Sequence, residues 1–170
     1  TGRIEQLRQQ DDSGKRRHVV ISDAQGSSIE TKVDIGVHNL VSPDLAEICF
    51  DLGKLDDAVT ILADSNEQVV AEKLRSLLRI GAASTRYKDV FDIYYLLCKK
   101  GVRERELDDA VRALVIEDPT MRERSYGDIA NRLSRVFGDR RFKRELSRAK
   151  NNWLEISPDK VTSAITAYFS

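Results

Sequence analysis

Residues 67–97, with the sequence EQVVAEKLRSLLRIGAASTRYKDVFDIYYLL, decide most of the fold. Their first half has the i, i+4, i+7, i+8 spacing of one buried helical face, with apolar residues at Val70, Leu74, Leu77 and Leu78. Gly81 ends this helix, and a polar loop over residues 82–87 leads into a second helix from about residue 88 to 100, closed by Gly101. The pattern predicts two consecutive helices joined by a short loop.

The flanking sequence extends the helical pattern in both directions. Ser65, followed three residues later by Gln68, fits a capping box at the start of the first helix. Downstream, the spacing of apolar residues and of helix breakers predicts further helices over residues 103–115, 125–136 and 158–168. The C-terminal part of the chain is therefore expected to be a helical bundle.

Short strands are predicted before these helices. Residues 19–21 are apolar, and residues 29–37 alternate between apolar and polar side chains as a half-buried strand does. The two runs could pair as a hairpin across Gly26. Residues 45–55 fit a helix or a strand equally well, whereas the apolar run over 58–63 predicts a buried strand.

This order of elements predicts an α+β fold, with a sheet region over residues 1–63 and a helical region over 64–170. The chain is 41% hydrophobic and 33% charged, as soluble globular proteins are. It contains no apolar run near the roughly 18 residues that a membrane span needs, and no signal peptide is recognisable. We therefore expect a cytoplasmic protein without a membrane partner, with Cys49 and Cys98 as small buried hydrophobes.

Net charge is zero, but the charges are unevenly distributed. Residues 42–72 carry eight acidic residues opposed only by Lys54, whereas residues 122–150 carry ten Lys and Arg against four Asp and Glu. A basic stripe is the minimal electrostatic requirement for a nucleic-acid partner, and a solvated helical face is the equally simple alternative. The candidate nucleic-acid-binding residues are Arg132, Arg135, Arg140, Arg141, Lys143 and Arg144.

Three short blocks within residues 67–97 resemble those of AbiEii-type nucleotidyltransferases, the toxin half of bacterial toxin–antitoxin systems. They are Ala-Glu-Lys-Leu at 71–74, Arg-Tyr-Lys-Asp at 86–89 and Asp-Val-Phe-Asp-Ile at 89–93. About 30 residues match the family pattern in order and spacing. Upstream, Lys-Val-Asp-Ile at 32–35 resembles the strand that carries the third carboxylate of the superfamily.

The resemblance implies a function and a set of site residues. The intact protein would transfer a nucleotide from a nucleoside triphosphate to an acceptor, tRNA, and would have a cognate antitoxin. Lys73 would contact phosphate, and Asp92 would orient Lys73 or another basic partner. Asp34 would bind Mg²⁺ or act as the base toward the acceptor hydroxyl, since nucleotidyl transfer uses metal ions held by carboxylates. Residues 1–63 would be part of a nucleotidyltransferase sheet.

Further charged residues of the same blocks would bind the substrate. Arg86, Lys88 and Asp89 lie where basic groups would neutralise a triphosphate and where an acid shares a helical face with Asp92. Structural roles compete with each of these assignments. Lys73 could extend from a helix edge into solvent, Asp89 could complement a helix dipole, and Asp34 could be a solvent-facing strand residue. As a flank position, Lys73→Ala is expected to cost only about 0.5 kcal/mol of stability.

One part of the family pattern is missing from the chain. Family members carry a Gly-Ser turn followed by Asp-x-Asp, which supplies two metal-binding carboxylates, and this sequence has no Asp-x-Asp. Gly26-Ser27 is followed by Asp34 and then by Gly36, so we interpret it as a hairpin turn. The polar start at Thr1-Gly2 favours truncation, and the chain alone is expected to be inactive. The alternative is a non-catalytic α+β module that binds nucleic acid or protein.

Overall fold

A computed structural model of the chain confirms the α+β fold, with strands in the first part and helices in the second. The model describes residues 4–6, 15–35, 46–50, 59–148 and 150–170. The chain forms two compact units, Thr1–Val41 and Ser42–Ser170. The sequence-based division at residue 63 separates strands from helices, whereas the compact units separate one three-stranded sheet from the rest.

The first unit contains an antiparallel sheet in the order β1-β2-β3, built from β1 (Ile4–Gln6), β2 (Lys15–Ser22) and β3 (Ser28–Ile35). The predicted hairpin is confirmed, and Gly26 provides the positive φ of 87° that its turn requires. The predicted half-burial of the second strand is wrong, because β3 is exposed along its whole length. Among the described residues of this unit, no second layer covers the sheet.

The second unit begins with a two-stranded antiparallel ribbon of β4 (Ala46–Phe50) and β5 (Val59–Ala63). The ambiguous segment 45–55 is therefore partly a strand. The predicted burial of the strand over 58–63 is wrong, since Val59 to Leu62 are exposed. A two-stranded ribbon has no neighbouring strand or layer to cover its apolar faces within the described residues, so β-branched residues remain on the surface.

Among the residues that the structure describes, six helices follow the ribbon in chain order. They are α1 (Asn66–Ile80), α2 (Tyr87–Tyr95), α3 (Glu104–Val111), α4 (Tyr126–Gly138), α5 (Arg140–Leu146) and α6 (Pro158–Tyr168). A 3₁₀ turn follows α1 at Gly81–Ala83, and π-helical turns prolong α2 through Leu96–Lys100 and α3 through Arg112–Ile116. The predicted helices are all present, and the charged segment after residue 139 adds α5.

The start of α1 shows why this sequence is helical. The Ser65 side chain accepts a hydrogen bond of 3.1 Å from the Gln68 backbone N–H, so this half of the predicted capping box is formed. The Gln68 side chain donates instead to Glu72 over 3.0 Å. Glu67, in the first turn, is buried and accepts a 2.7 Å hydrogen bond from the backbone N–H of Arg103, which joins α1 to the start of α3.

The hydrophobic core lies between the helices. Helix α1 packs against α3, α2 and α4, and α2 packs against α6. The largest fully buried side chains are Phe91, Phe142, Phe169, Leu74, Leu78, Ile93, Ile129, Leu133, Leu146, Ile165, Val70 and Val90. The predicted burial of the cysteines is wrong, since Cys49 and Cys98 are both exposed. In the turn Leu96–Lys100, Leu97 supplies the buried side chain and Cys98 lies on the exposed side.

Candidate functional site

Helix α1 places Lys73 at the flank of its buried stripe. Val70, Leu74 and Leu77 occupy the buried face, and Lys73 lies beside them with a side chain only 21% exposed. The aliphatic stem is therefore covered by its neighbours while the ammonium reaches toward α2. This matches the flank position that the apolar spacing predicted.

Helix α2 supplies two carboxylates to that ammonium. Lys73 Nζ donates to Asp89 Oδ1 over 2.6 Å and to Asp92 Oδ2 over 2.9 Å. Asp89 and Asp92 are three residues apart, so one turn of helix brings both to the same side. The structure thus brings together the three charged residues singled out from the sequence, and it excludes the alternative in which Lys73 extends alone into solvent.

Arg86 adds a second cation to the cluster. Its Nε lies 2.6 Å from Asp89 Oδ2 as an ion pair, although the orientation is not that of a well-aligned hydrogen bond. Its Nη1 also donates to the Ser76 hydroxyl over 3.4 Å. The cluster therefore holds two carboxylates and two cations, and Asp89, only 13% exposed, lies between both cations.

The environment keeps the Lys73 ammonium charged. Burial lowers the pKa of Lys73, but the hydrogen bonds that it donates to Asp89 and Asp92 and their negative charges outweigh burial and leave the pKa raised. An ammonium has three N–H donors, and the two carboxylates accept from two of them. The third donor is suited to an anionic oxygen such as that of a phosphate.

Trp153 is a member of the cluster that the sequence did not reveal. Its indole Nε1 donates to Asp92 Oδ1 over 2.9 Å, across 61 positions of the chain, and its ring centroid lies 5.4 Å from that of Tyr95. The ring packs against Tyr95 on one side, yet 49% of the residue is exposed. Asp92 therefore bridges the two side chains, because it accepts from Lys73 through one oxygen and from Trp153 through the other.

The other predicted substrate-binding residue, Lys88, is exposed in the first turn of α2. Its neighbour Tyr87 packs against Phe142 of α5, with ring centroids 5.3 Å apart. This contact places the beginning of α5 next to the beginning of α2. The basic residues that surround Phe142 are consequently close to the end of α2 that carries Lys88.

The candidate nucleic-acid-binding residues divide into two groups. Arg132 is partly buried, and its guanidinium donates to the Leu78 carbonyl over 3.4 Å, at the C-terminal end of α1. It therefore contributes to the structure of the bundle. The remaining five are exposed on α4 and α5, and these are Arg135, Arg140, Arg141, Lys143 and Arg144.

Asp34 lies in the first unit, on β3. Arg16 of β2 donates to both of its oxygens, over 2.6 Å and 2.8 Å. This hydrogen bond to the Arg16 guanidinium lowers the pKa of Asp34. In the described part of the chain, no three His, Cys, Asp or Glu side chains converge as a metal site would need. These residues by themselves do not fit a Mg²⁺ ion, and Asp34 as its ligand remains a prediction.

Comparison with known proteins identifies the class to which this arrangement belongs. A family model described as "Nucleotidyl transferase AbiEii toxin, Type IV TA system" matches residues 1–162 of the 170-residue chain. This match places the α+β chain in a family of nucleotidyl transferases. It belongs to the AbiEii family of toxins, and the resemblance found in residues 67–97 is confirmed.

Membership of a toxin–antitoxin family implies an antitoxin as partner. Comparison with curated proteins gave no match, and comparison with solved structures gave none either. Within the described ranges, no helix combines the length and apolar character needed to cross a bilayer.

Proposed function

We propose that this chain is part of a toxin that transfers a nucleotide from a nucleoside triphosphate to an acceptor, with Lys73 contacting the phosphates of the donor. The observation that carries the proposal is the Lys73–Asp89–Asp92 cluster, which lies on the two helices that carry the family blocks. A charged, partly buried ammonium with a remaining N–H donor is suited to bind a triphosphate oxygen.

In such a transfer, the acceptor oxygen forms a bond to the α-phosphorus while the bond from that phosphorus to the pyrophosphate oxygen breaks. Lys73, held by Asp92, would offset the negative charge that grows on the departing pyrophosphate. Arg86 and Lys88 would neutralise the remaining phosphates. A preorganised cation stabilises developing charge well because it needs no reorganisation during the reaction, and the two aspartates fix Lys73 in this way.

Other parts of the function follow from the family resemblance. Asp34 remains the predicted third carboxylate, as a ligand of Mg²⁺ or as the base that takes the proton of the acceptor hydroxyl. The acceptor is expected to be tRNA, held by the exposed basic residues of α4 and α5, and the protein is expected to act in the cytoplasm.

The test uses the full-length protein, triphosphates labelled at the α-phosphate, and tRNA. Lys73→Met and Asp92→Asn keep the shape of each side chain and remove its charge. Each should lower transfer about 100- to 1000-fold, the effect of removing one charge-stabilising group from an active site. Growth arrest in cells should be lost in parallel. Lys99→Met, at an exposed position of the turn after α2, is the matched control and should transfer normally.

Each variant must be shown to fold. Lys73 lies between two carboxylates, and the partly buried Asp89 would lose one of its two cations, so Lys73→Met should cost about 1–3 kcal/mol. This is more than the roughly 0.5 kcal/mol expected for Lys73→Ala at a simple flank position. Urea unfolding measures the difference, and a domain of ordinary stability remains folded. Normal transfer by Lys73→Met would contradict the assignment, and absence of transfer by the wild type would favour the non-catalytic module.

A further inference from the structure

We propose that the exposed part of the Trp153 indole is the platform on which the base of the donor nucleotide stacks while Lys73 contacts its phosphates. This inference rests on the proposed function and names the part of the same site that would recognise the base. Stacking on an aromatic side chain is tolerant of sequence because every nucleobase has a π-face. The ligand class is therefore a nucleoside triphosphate, of whichever base.

The first support is the distance between the indole and the ammonium. Asp92 accepts from Trp153 through Oδ1, over 2.9 Å, and from Lys73 through Oδ2, over 2.9 Å. A single carboxylate therefore separates the aromatic ring from the cation. A nucleoside triphosphate has its base and its phosphates at opposite ends, so one molecule needs an aromatic surface and a cation within one small region.

The second support is that Trp153 is held in place although it is 49% exposed. Asp92 fixes its N–H edge, and the Tyr95 ring lies against it at an interplanar angle of 59°. Its loop is closed by Asn152, whose side chain donates to the Ile156 carbonyl over 2.8 Å and accepts from the Ile156 N–H over 3.3 Å. A ring ordered before binding loses little conformational freedom when a ligand stacks on it.

The third support is that Trp153 combines exposure with a place in the charged cluster. Phe91, Tyr94 and Phe142 are buried, as large apolar side chains usually are. Tyr95 and Tyr168 are exposed as well, but the described side-chain donors to Asp92 are Lys73 and Trp153. Trp153 remains exposed beside a charged cluster, where its indole still has an open surface for contact. Packing against Tyr95 does not by itself require an N–H donor at the ring edge. The hydrogen bond to Asp92 holds that edge beside the carboxylate that also accepts from Lys73, the proposed phosphate-binding residue.

The chain offers a direct optical test, because Trp153 is its single tryptophan. The 170-residue chain is titrated with ATP, GTP, CTP and UTP separately, and with tripolyphosphate, in the presence of Mg²⁺. We expect at least one nucleoside triphosphate to quench the tryptophan emission in a saturable manner. Tripolyphosphate should bind without comparable quenching, since it has no base to stack.

Calorimetric titration of variants separates the base from the phosphates. Trp153→Ala should weaken binding of the triphosphate that quenches by roughly 5- to 150-fold, the contribution of one stacked base. Its affinity for tripolyphosphate should not change. Trp153→Phe, which keeps an aromatic ring, should retain affinity for the triphosphate within about threefold. The matched control Tyr168→Ala removes another exposed aromatic side chain, on α6, and should change neither affinity.

The outcomes distinguish this inference from the proposed function. Lys73→Met should lower the affinity for the triphosphate and for tripolyphosphate. If Lys73→Met binds both ligands as tightly as the wild type does, the proposed function is contradicted. If Trp153→Ala loses the same affinity for the triphosphate and for tripolyphosphate, Trp153 acts only through Asp92. That result would overturn the stacking platform. Unchanged triphosphate affinity in Trp153→Ala overturns it as well. If the wild-type chain binds neither ligand, this inference is wrong, whereas the transfer assay on the full-length protein decides the proposed function.

Discussion

Lys73 illustrates how two neighbouring acids hold a partly buried cation. Removing an ammonium from water is unfavourable, and burial alone would lower the pKa of Lys73. Asp89 and Asp92 accept its hydrogen bonds at 2.6 Å and 2.9 Å and reverse that effect. The charge is thereby kept at a fixed position, which is the property a phosphate-binding group needs.

The raised pKa of Lys73 leads to a prediction about its reactivity. Because the folded pKa lies above the ordinary 10.5, the stabilising effect of the ion pairs is fully present below that pH. It is lost only as the pH rises through the folded pKa. Competitive acetylation at about pH 9, followed by mass spectrometry, should therefore label Lys73 more slowly than the exposed Lys99.

Asp92→Asn provides the control for this experiment. It removes one charged acceptor, so the pKa of Lys73 should fall and its acetylation should accelerate, while labelling of Lys99 stays the same. Labelling of Lys73 at the rate of Lys99 in the wild type would contradict the ion-pair geometry.

At the scale of elements, the junction between α1 and α2 depends on Gly81. This residue has φ 67° and ψ −145°, a region of backbone space that only glycine occupies readily. The side chain of Arg132, on α4, lies against the same residue. A methyl group added at Gly81 would lie 2.6 Å from the Nη2 of Arg132. The turn thus sets the direction in which the chain leaves α1 for α2, and with it the positions of Asp89 and Asp92.

We predict that Gly81→Ala lowers the free energy of unfolding by about 1–3 kcal/mol, the usual cost of a residue held in such a backbone region. Most of this cost is backbone strain, since the Arg132 guanidinium ends a flexible side chain and could shift aside. Urea or thermal unfolding measures the change. Gly138→Ala, at the end of α4 with no atom within 4 Å of an added methyl, is the control and should be neutral or slightly stabilising.

At the scale of the helical unit, basic side chains from two helices lie near the start of α2. The contact between Tyr87 and Phe142, with ring centroids 5.3 Å apart, brings α5 beside the end of α2 that carries Arg86 and Lys88. The exposed basic residues of α5 are Arg140, Arg141, Lys143 and Arg144. An RNA backbone on this surface would lie close to the cluster proposed to bind the donor nucleotide.

This arrangement predicts RNA binding that depends on salt. The affinity of the full-length protein for tRNA should fall as salt rises, because each neutralised phosphate releases counterions. Arg141→Gln should reduce the slope of log K against log salt by about 0.7, the value for one contact to single-stranded RNA. Filter binding over a range of salt concentrations measures the slope.

Arg105→Gln is the matched control, since Arg105 is an exposed arginine of the same kind on α3. Its slope should equal that of the wild type. An affinity that stays flat with salt, or equal effects of the two substitutions, would exclude the α5 surface as the main contact with the RNA backbone and favour a simple solvated face.

Local patterns were sufficient to predict the α+β fold, the helices and the cap at Ser65, whereas the approach of Lys73 to Asp92 was expected from the family resemblance. Each depends on spacing within one helix or between two consecutive helices, where 3.6 residues per turn fixes which side chains share a face. The loop joining α1 and α2 is short, so few arrangements of the two helices were available.

Tertiary structure decided what local spacing could not specify. Trp153 reaches Asp92 across 61 positions and Arg132 reaches Leu78 across 54, and no periodic pattern links residues so far apart. Burial of the strands was also mispredicted, since alternation gives a strand two faces but does not provide the layer that would cover one of them. The sequence by itself determined the helices and the charged residues on their faces, whereas long-range packing decided which distant side chains complete the cluster.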